Sequence, residues 1–333
     1  MHYFFNIEPP ESAVKAIKRT TFAYFLFGAV WVLTCYAAEI ALLIVYPALF
    51  EKTWFSLLFS TAVLYGIAFP LLCILVHRAK AEPISKRKMP LWQFSIIIPI
   101  MYALTMAGNL FGQVLSSVLN QFPIFKAENE LTEILLSSDA LWITFALTVI
   151  VAPIMEELVF RKMLIPRLLV LGEGIAVLIS ALFFGLFHGN LYQFFYAFLV
   201  GIVFGYLFAK TGKVIYTIAL HMTLNFFSGF LPTLLLRSVG DLESPDLSGT
   251  SIVGLWHLLQ YEICLSALVI AGVVLLFVNL RKIRSSRTPS AFSAGVQMRH
   301  AFLGPGTICF LCFWALMFLV GIINFEFVFR GIL

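Results

Sequence analysis

Long apolar runs broken by short polar segments dominate the chain, and neither strand-like alternation nor a one-sided helical stripe is sustained anywhere. A hydrocarbon core of about 30 Å needs about 20 apolar residues per helix. On that measure the runs predict nine spans, near 21–46, 55–77, 94–119, 141–166, 174–190, 192–209, 214–235, 254–280 and 304–328. Lipid offers backbone groups no water to bond with, so runs of this length read as helices. The expected fold is all-α: a polytopic transmembrane bundle of about nine helices.

Composition agrees. Of 333 residues, 61% are hydrophobic and 16% aromatic, while 12% are charged, about half the share of a soluble domain. The mean hydropathy of +0.97 is spread along the chain. The formal charge of +5 matters less than its placement. With the N-terminus in the cytoplasm and sides alternating, the inside segments hold Lys15, Lys18, Arg19, Arg78, Lys80, Lys86, Arg87, Lys88, Arg161, Lys162, Arg167, Lys210, Lys213, Arg281, Lys282, Arg284, Arg287 and Arg299. The outside keeps Lys52, Lys126, Arg237 and Arg330. This 18 to 4 split favours that orientation and an integral membrane location, the plasma membrane in a bacterium. Acids gather in two outer segments, Glu128, Glu130, Glu133 and Asp139 in one and Asp241, Glu243 and Asp246 in the other, where they read as solvated charge.

No basic patch with interleaved aromatics points to nucleic acid. Cys35, Cys73, Cys264, Cys309 and Cys312 all sit in apolar runs and read as small packing residues, including the C-x-x-C of Cys309 and Cys312. The first apolar run reaches Phe50, longer than the core of a signal peptide, and is read as a retained helix. Neither an internal repeat nor a soluble domain is apparent.

An ionisable side chain at a helix centre costs on the order of 2.5–3.5 kcal/mol on insertion scales, which makes each one a functional candidate. The fourth run reads Ala152-Pro153-Ile154-Met155-Glu156-Glu157-Leu158-Val159-Phe160-Arg161. Glu157 and Arg161 share a face at i,i+4 and can pair. Glu156, about 100° around the helix, is left without a local partner. Pro153 removes one backbone donor just before the pair. The fifth run ends Phe184-Gly185-Leu186-Phe187-His188, and the seventh holds His221-Met222-Thr223-Leu224-Asn225. Glu156 lies sixteen residues before Gly172 and His188 sixteen after it, so a hairpin turning there sets them at one depth. His221 follows Lys213 by about 12 Å of helical rise, so both glutamates and both histidines can converge in one pocket.

Glu156-Glu157-x-x-x-Arg161, Phe184-x-x-x-His188 and His221-x-x-x-Asn225, in this order and spacing, resemble the CPBP family of intramembrane proteases, which includes the type II CAAX prenyl endopeptidases. The stretch from Gly201 to Lys213 is similar to that family as well. The resemblance covers about residues 141 to 230 and implies an endopeptidase acting on a membrane-associated protein or peptide. By resemblance alone, the substrate is a CAAX-type prenylprotein, or a bacteriocin or signalling peptide in a bacterium. It divides the chain into N-terminal helices (1–140), a catalytic core of four to five helices (141–230) and C-terminal helices with a basic loop (231–333).

The chemistry assigns roles independently. Hydrolysis needs a base for water and donors for the oxyanion. Glu156 is the natural base, with His188 opposite to hold the water or relay its proton. His221 and Asn225 can offer N–H donors to the oxyanion, a role that the resemblance also implies. Glu157 with Arg161 forms an ion pair that either fixes packing alone or also tunes Glu156. Glu39, Glu262 and His257 read as packing or interfacial residues, and Gly201-x-x-x-Gly205 as a close helix contact. No cofactor is expected. Zinc held by the carboxylates and histidines is an alternative, although H-E-x-x-H is missing and Arg161 would repel a dication. A proton-coupled transporter and a non-catalytic scaffold are the other readings. The site is expected to open toward the cytoplasmic half of the bilayer.

Overall fold

The structure, a computed structural model, describes residues 8–49, 52–127, 140–240, 251–279 and 292–324. The two acid-rich segments, the basic residues Arg281, Lys282, Arg284 and Arg287, and Arg330 lie outside the described residues. Ten helices are described: α1 (Glu11–Val45), α2 (Trp54–Val76), α3 (Trp92–Leu119), α4 (Leu141–Leu171), α5 (Glu173–Leu186), α6 (Leu191–Thr211), α7 (Val214–Val239), α8 (Ile252–Asn279), α9 (Ala294–Phe302) and α10 (Pro305–Ile322). Eight are long and apolar enough to cross a membrane. The chain is an all-α polytopic bundle of an integral membrane protein.

The fifth predicted span is the difference. Over 174–190 the apolar run predicts a full crossing, yet α5 ends at Leu186 after 14 residues, about 21 Å of rise. Gly189, at φ +71°, turns the chain back, and Asn190 caps α6 by accepting the Gln193 N–H at 2.9 Å. Non-helical backbone at membrane depth survives only against protein. Here the turn packs beneath Trp314 of α10, which a Cβ on Gly189 would meet at 3.5 Å.

One end of the bundle collects the basic residues. There the Glu82 N–H donates to the Pro166 carbonyl, the Arg87 N–H to the Thr211 carbonyl (both 2.8 Å), and the Arg167 guanidinium to the Val76 carbonyl at 3.3 Å. Gly306, at the start of α10, lies against the Phe22 backbone at this end. The opposite end holds the C-terminus of α3 and the last turn of α10, joined by the Lys126 N–H to the Ile322 carbonyl.

The core runs through α1, α2, α4, α5 and α10. Phe183 stacks on Phe310 with centroids 3.8 Å apart, and Phe27 on Phe187 at 5.0 Å. Half of α1 joins it: Ile17, Thr20, Tyr24 and Phe27, spaced at three and four residues, are buried, whereas Leu33, Ile40 and Ile44 face outward. α8 fully buries only Gly254 and Gly272, and rests on the bundle through half-buried Leu265, Leu268 and Val269. α3 meets α6 through Gly108-x-x-x-Gly112, where a Cβ on Gly108 would lie 2.5 Å from the Tyr196 backbone. Gly201 and Gly205 do the same for α6 on α5, against Ala181 and Val177. Glycines of α3 against one side of α6, and of α6 itself against α5, thus draw three helices together.

Candidate active site

α4 is irregular where the chemistry lies. Its backbone widens to i→i+5 bonding over Ala146–Val151 and again over Leu158–Leu164. Such bulges recur at functional sites. In the first, the Ala152 N–H goes to the Leu147 carbonyl, and Pro153 has no N–H to give. The Thr148 carbonyl is therefore without a donor from its own helix, and Asn225 Nδ2 of α7 supplies one at 2.9 Å. The second bulge is held from outside, by the Tyr24 hydroxyl on the Val159 carbonyl (2.5 Å) and the Ser180 hydroxyl on the Phe160 carbonyl (2.7 Å).

Between the bulges stand the two carboxylates. Glu157 Oε2 lies 3.2 Å from Arg161 Nε, both side chains fully buried. The guanidinium is covered by aromatic faces, 4.3 Å from the Phe184 centroid and 5.7 Å from that of Phe204. No hydrogen-bond partner meets its terminal nitrogens among the described residues. The other oxygen of Glu157, Oε1, receives the Nδ1–H of His221 at 3.1 Å. An ionised carboxylate can only accept, so this contact puts the neutral His221 proton on Nδ1. His221 Nε2 then carries the lone pair and stands 3.7 Å from Glu156 Oε2.

Glu156 differs from its neighbour: 21% of its side chain is exposed, and it borders a cavity of about 420 Å³. His188 and Asn225 line the same cavity. His188 donates Nδ1–H to the Phe184 carbonyl at 2.8 Å, which again leaves Nε2 as the acceptor. The expected facing of Glu156 by His188 is thus replaced at short range by His221, while His188 shares the cavity wall. The expected oxyanion donors are also altered. His221 spends its N–H on Glu157, and one amide hydrogen of Asn225 holds the α4 carbonyl.

Polar groups that the sequence reading did not single out complete the wall: Thr105 and Asn109 from α3, Gln193 and Tyr196 from α6, and Ser228 and Thr233 from α7. Gln193 donates to the Tyr196 hydroxyl at 3.0 Å, and Asn190 to Gln193 Oε1 at 2.7 Å. The signal for this last set was the Asn190-x-x-Gln193-x-x-Tyr196 spacing on one helix face. Glu39, Glu262 and His257 do not border the cavity.

The direction in which the cavity runs can be read relative to the basic end of the bundle. Its lining on α7 runs from His221 to Leu236, away from the basic end, and on α4 from Glu156 back to Thr148. It leads toward the opposite end of the bundle.

No curated protein and no solved structure matches the chain. A family model does, over residues 138–227, described as type II CAAX prenyl endopeptidase Rce1-like. That stretch includes Glu156, Glu157, Arg161, His188, His221 and Asn225, and it excludes α1 to α3 and α8 to α10. The segment that builds this site is therefore similar to the Rce1-like type II CAAX prenyl endopeptidases.

Proposed function

We propose that this protein is an intramembrane endopeptidase in which Glu156 activates water against a peptide bond, with residues 141–230 as its catalytic core. The observation that carries this reading is the division of labour between adjacent carboxylates. Glu157 is sealed between Arg161 and His221, whereas Glu156 borders the cavity with a histidine lone pair 3.7 Å away. A base must reach substrate water, and of the two only Glu156 has that access.

In this mechanism Glu156 takes a proton from water as the oxygen adds to the scissile carbonyl carbon, and the proton then passes to the leaving amine. His188, with Nε2 as acceptor, helps to hold the water. Arg161, Glu157 and His221 form a chain that fixes the imidazole, in the way an orienting carboxylate fixes a catalytic histidine. If His221 gains a proton during the cycle, its Nε2–H becomes a donor to the oxyanion, beside the second amide hydrogen of Asn225.

Zinc would need three donors and an open position. Glu157 is already engaged by a cation, and no three His, Cys, Asp or Glu side chains gather as a metal set among the described residues. The donor set does not fit zinc, which supports metal-free hydrolysis.

The test is cleavage of a quenched peptide panel, with and without a C-terminal prenylcysteine, by wild-type protein and Glu156→Gln, each with and without a strong chelator. Activity that is lost in Glu156→Gln and survives chelation supports the reading. Activity abolished by the chelator and restored by Zn²⁺ refutes it.

A further inference from the structure

Glu156 and His221 form the floor of the cavity, and its lining extends from them in one direction. On α7 it reaches Leu236, fifteen residues past His221 and about 22 Å along the axis. On α3 it begins only at Thr105, thirteen residues past Trp92. On the other side of the floor the bundle is packed solid: Arg161, Leu164 and Leu168 of α4 and Phe208 of α6 are each 4% exposed or less. Beyond that plug lie the segments joined by the Glu82–Pro166 and Arg87–Thr211 backbone bonds. This closed end carries Lys15, Lys18, Arg19, Arg78, Lys80, Lys86, Arg87, Lys88, Arg167, Lys210 and Lys213, and by the positive-inside rule it is the cytoplasmic one.

We propose that the site takes its substrate from the extracytoplasmic side, as an extended polypeptide segment lying next to the outer membrane surface, not as a prenylated C-terminus presented from the cytoplasm. This rests on the endopeptidase reading and names its substrate class. The cavity wall fits such a segment. An extended peptide brings unpaired backbone N–H and C=O groups that need partners away from water. Asn109, Gln193, Ser228 and Thr233 set amides and hydroxyls along the route to Glu156. No Lys or Arg borders the cavity among the described residues, so nothing there pairs with a terminal carboxylate. An internal bond of the substrate is what the wall accommodates.

The route can be read without relying on catalysis. In a full-length chain with Cys35, Cys73, Cys264, Cys309 and Cys312 replaced by Ser, a single cysteine is placed at Leu236→Cys near the mouth, Ser228→Cys deep in the cavity, or Lys213→Cys at the closed end. Each is treated with a membrane-impermeant maleimide in intact cells and in inverted vesicles. The expected result is labelling of Leu236→Cys and Ser228→Cys from outside intact cells, and of Lys213→Cys in inverted vesicles alone. Labelling of Ser228→Cys in inverted vesicles only, or from neither side, overturns the proposal. In parallel, a one-span protein with a polar segment next to its outer surface is offered as substrate beside a prenylcysteine peptide. Preferential cleavage of the prenylated peptide overturns the proposal. If neither is cleaved while Ser228→Cys labels from outside, the outer route stands and the failure belongs to the endopeptidase reading.

Discussion

His221 donates its Nδ1–H to Glu157 Oε1 at 3.1 Å, and through Glu157 it is tied to a guanidinium that no water reaches. One buried chain thus joins α7 to α4 and decides which imidazole nitrogen is left for the cavity. Glu157 and Glu156, adjacent in sequence, should respond differently to the same substitution.

Glu157→Gln leaves Arg161 as an uncompensated buried charge, and breaking a pair of this kind costs about 3–5 kcal/mol. The variant should show a large loss of thermal stability in detergent. Combining it with Arg161→Met removes the stranded charge and should recover much of the loss. An unchanged melting temperature in Glu157→Gln would refute the structural role.

Glu156→Gln is expected to fold normally, because its side chain is partly exposed in the cavity and forms no ion pair with a buried cation. Activity should fall by about 10²–10⁴-fold, the range for loss of a general base. Melting curves and peptide turnover measured on the same preparation separate the two glutamates.

Asn225→Ala removes the donor to the Thr148 carbonyl and should cost about 1–3 kcal/mol for the acceptor left unsatisfied. Pro153→Ala restores a backbone N–H five residues from Thr148. In that background Asn225→Ala should cost clearly less, and a double-mutant cycle measures the difference. Strict additivity would show that Asn225 does not serve that carbonyl.

At the basic end, Glu8 accepts from His300 Nε2 at 2.9 Å and from Arg299. The His300 hydrogen bond, with the Arg299 contact behind it, holds the Glu8 carboxyl below its usual 4.5. A depressed carboxyl stabilises the folded form above its unfolded value, and that contribution is lost as pH falls through the folded one. The protection factors for hydrogen exchange across α9, after correction for the intrinsic pH dependence of exchange, should therefore be constant near neutrality and fall below about pH 4.5. In Glu8→Gln that acid-dependent step should vanish.

The membrane architecture was legible because hydrocarbon imposes a length and a composition on every crossing helix, and eight of the nine predicted runs are long helices. The pairing of Glu157 with Arg161 was legible as well, since i,i+4 geometry is local. The early end of α5 was not. Phe187 and His188 are as compatible with a continuing helix as with a turn, and the packing of Gly189 under Trp314 decides between them.

Tertiary structure also decided which histidine meets which glutamate. Counting residues sets Glu156 and His188 at one depth, but the angular position of each side chain depends on bulges in α4 that shift every later residue around the axis. Those bulges are held by Asn225, Tyr24 and Ser180 from three other helices. The side from which the cavity opens is the same kind of quantity. It depends on where α3, α4, α6 and α7 separate and where Arg161, Leu164 and Phe208 close the gap, and helices distant in the chain settle that only when they pack.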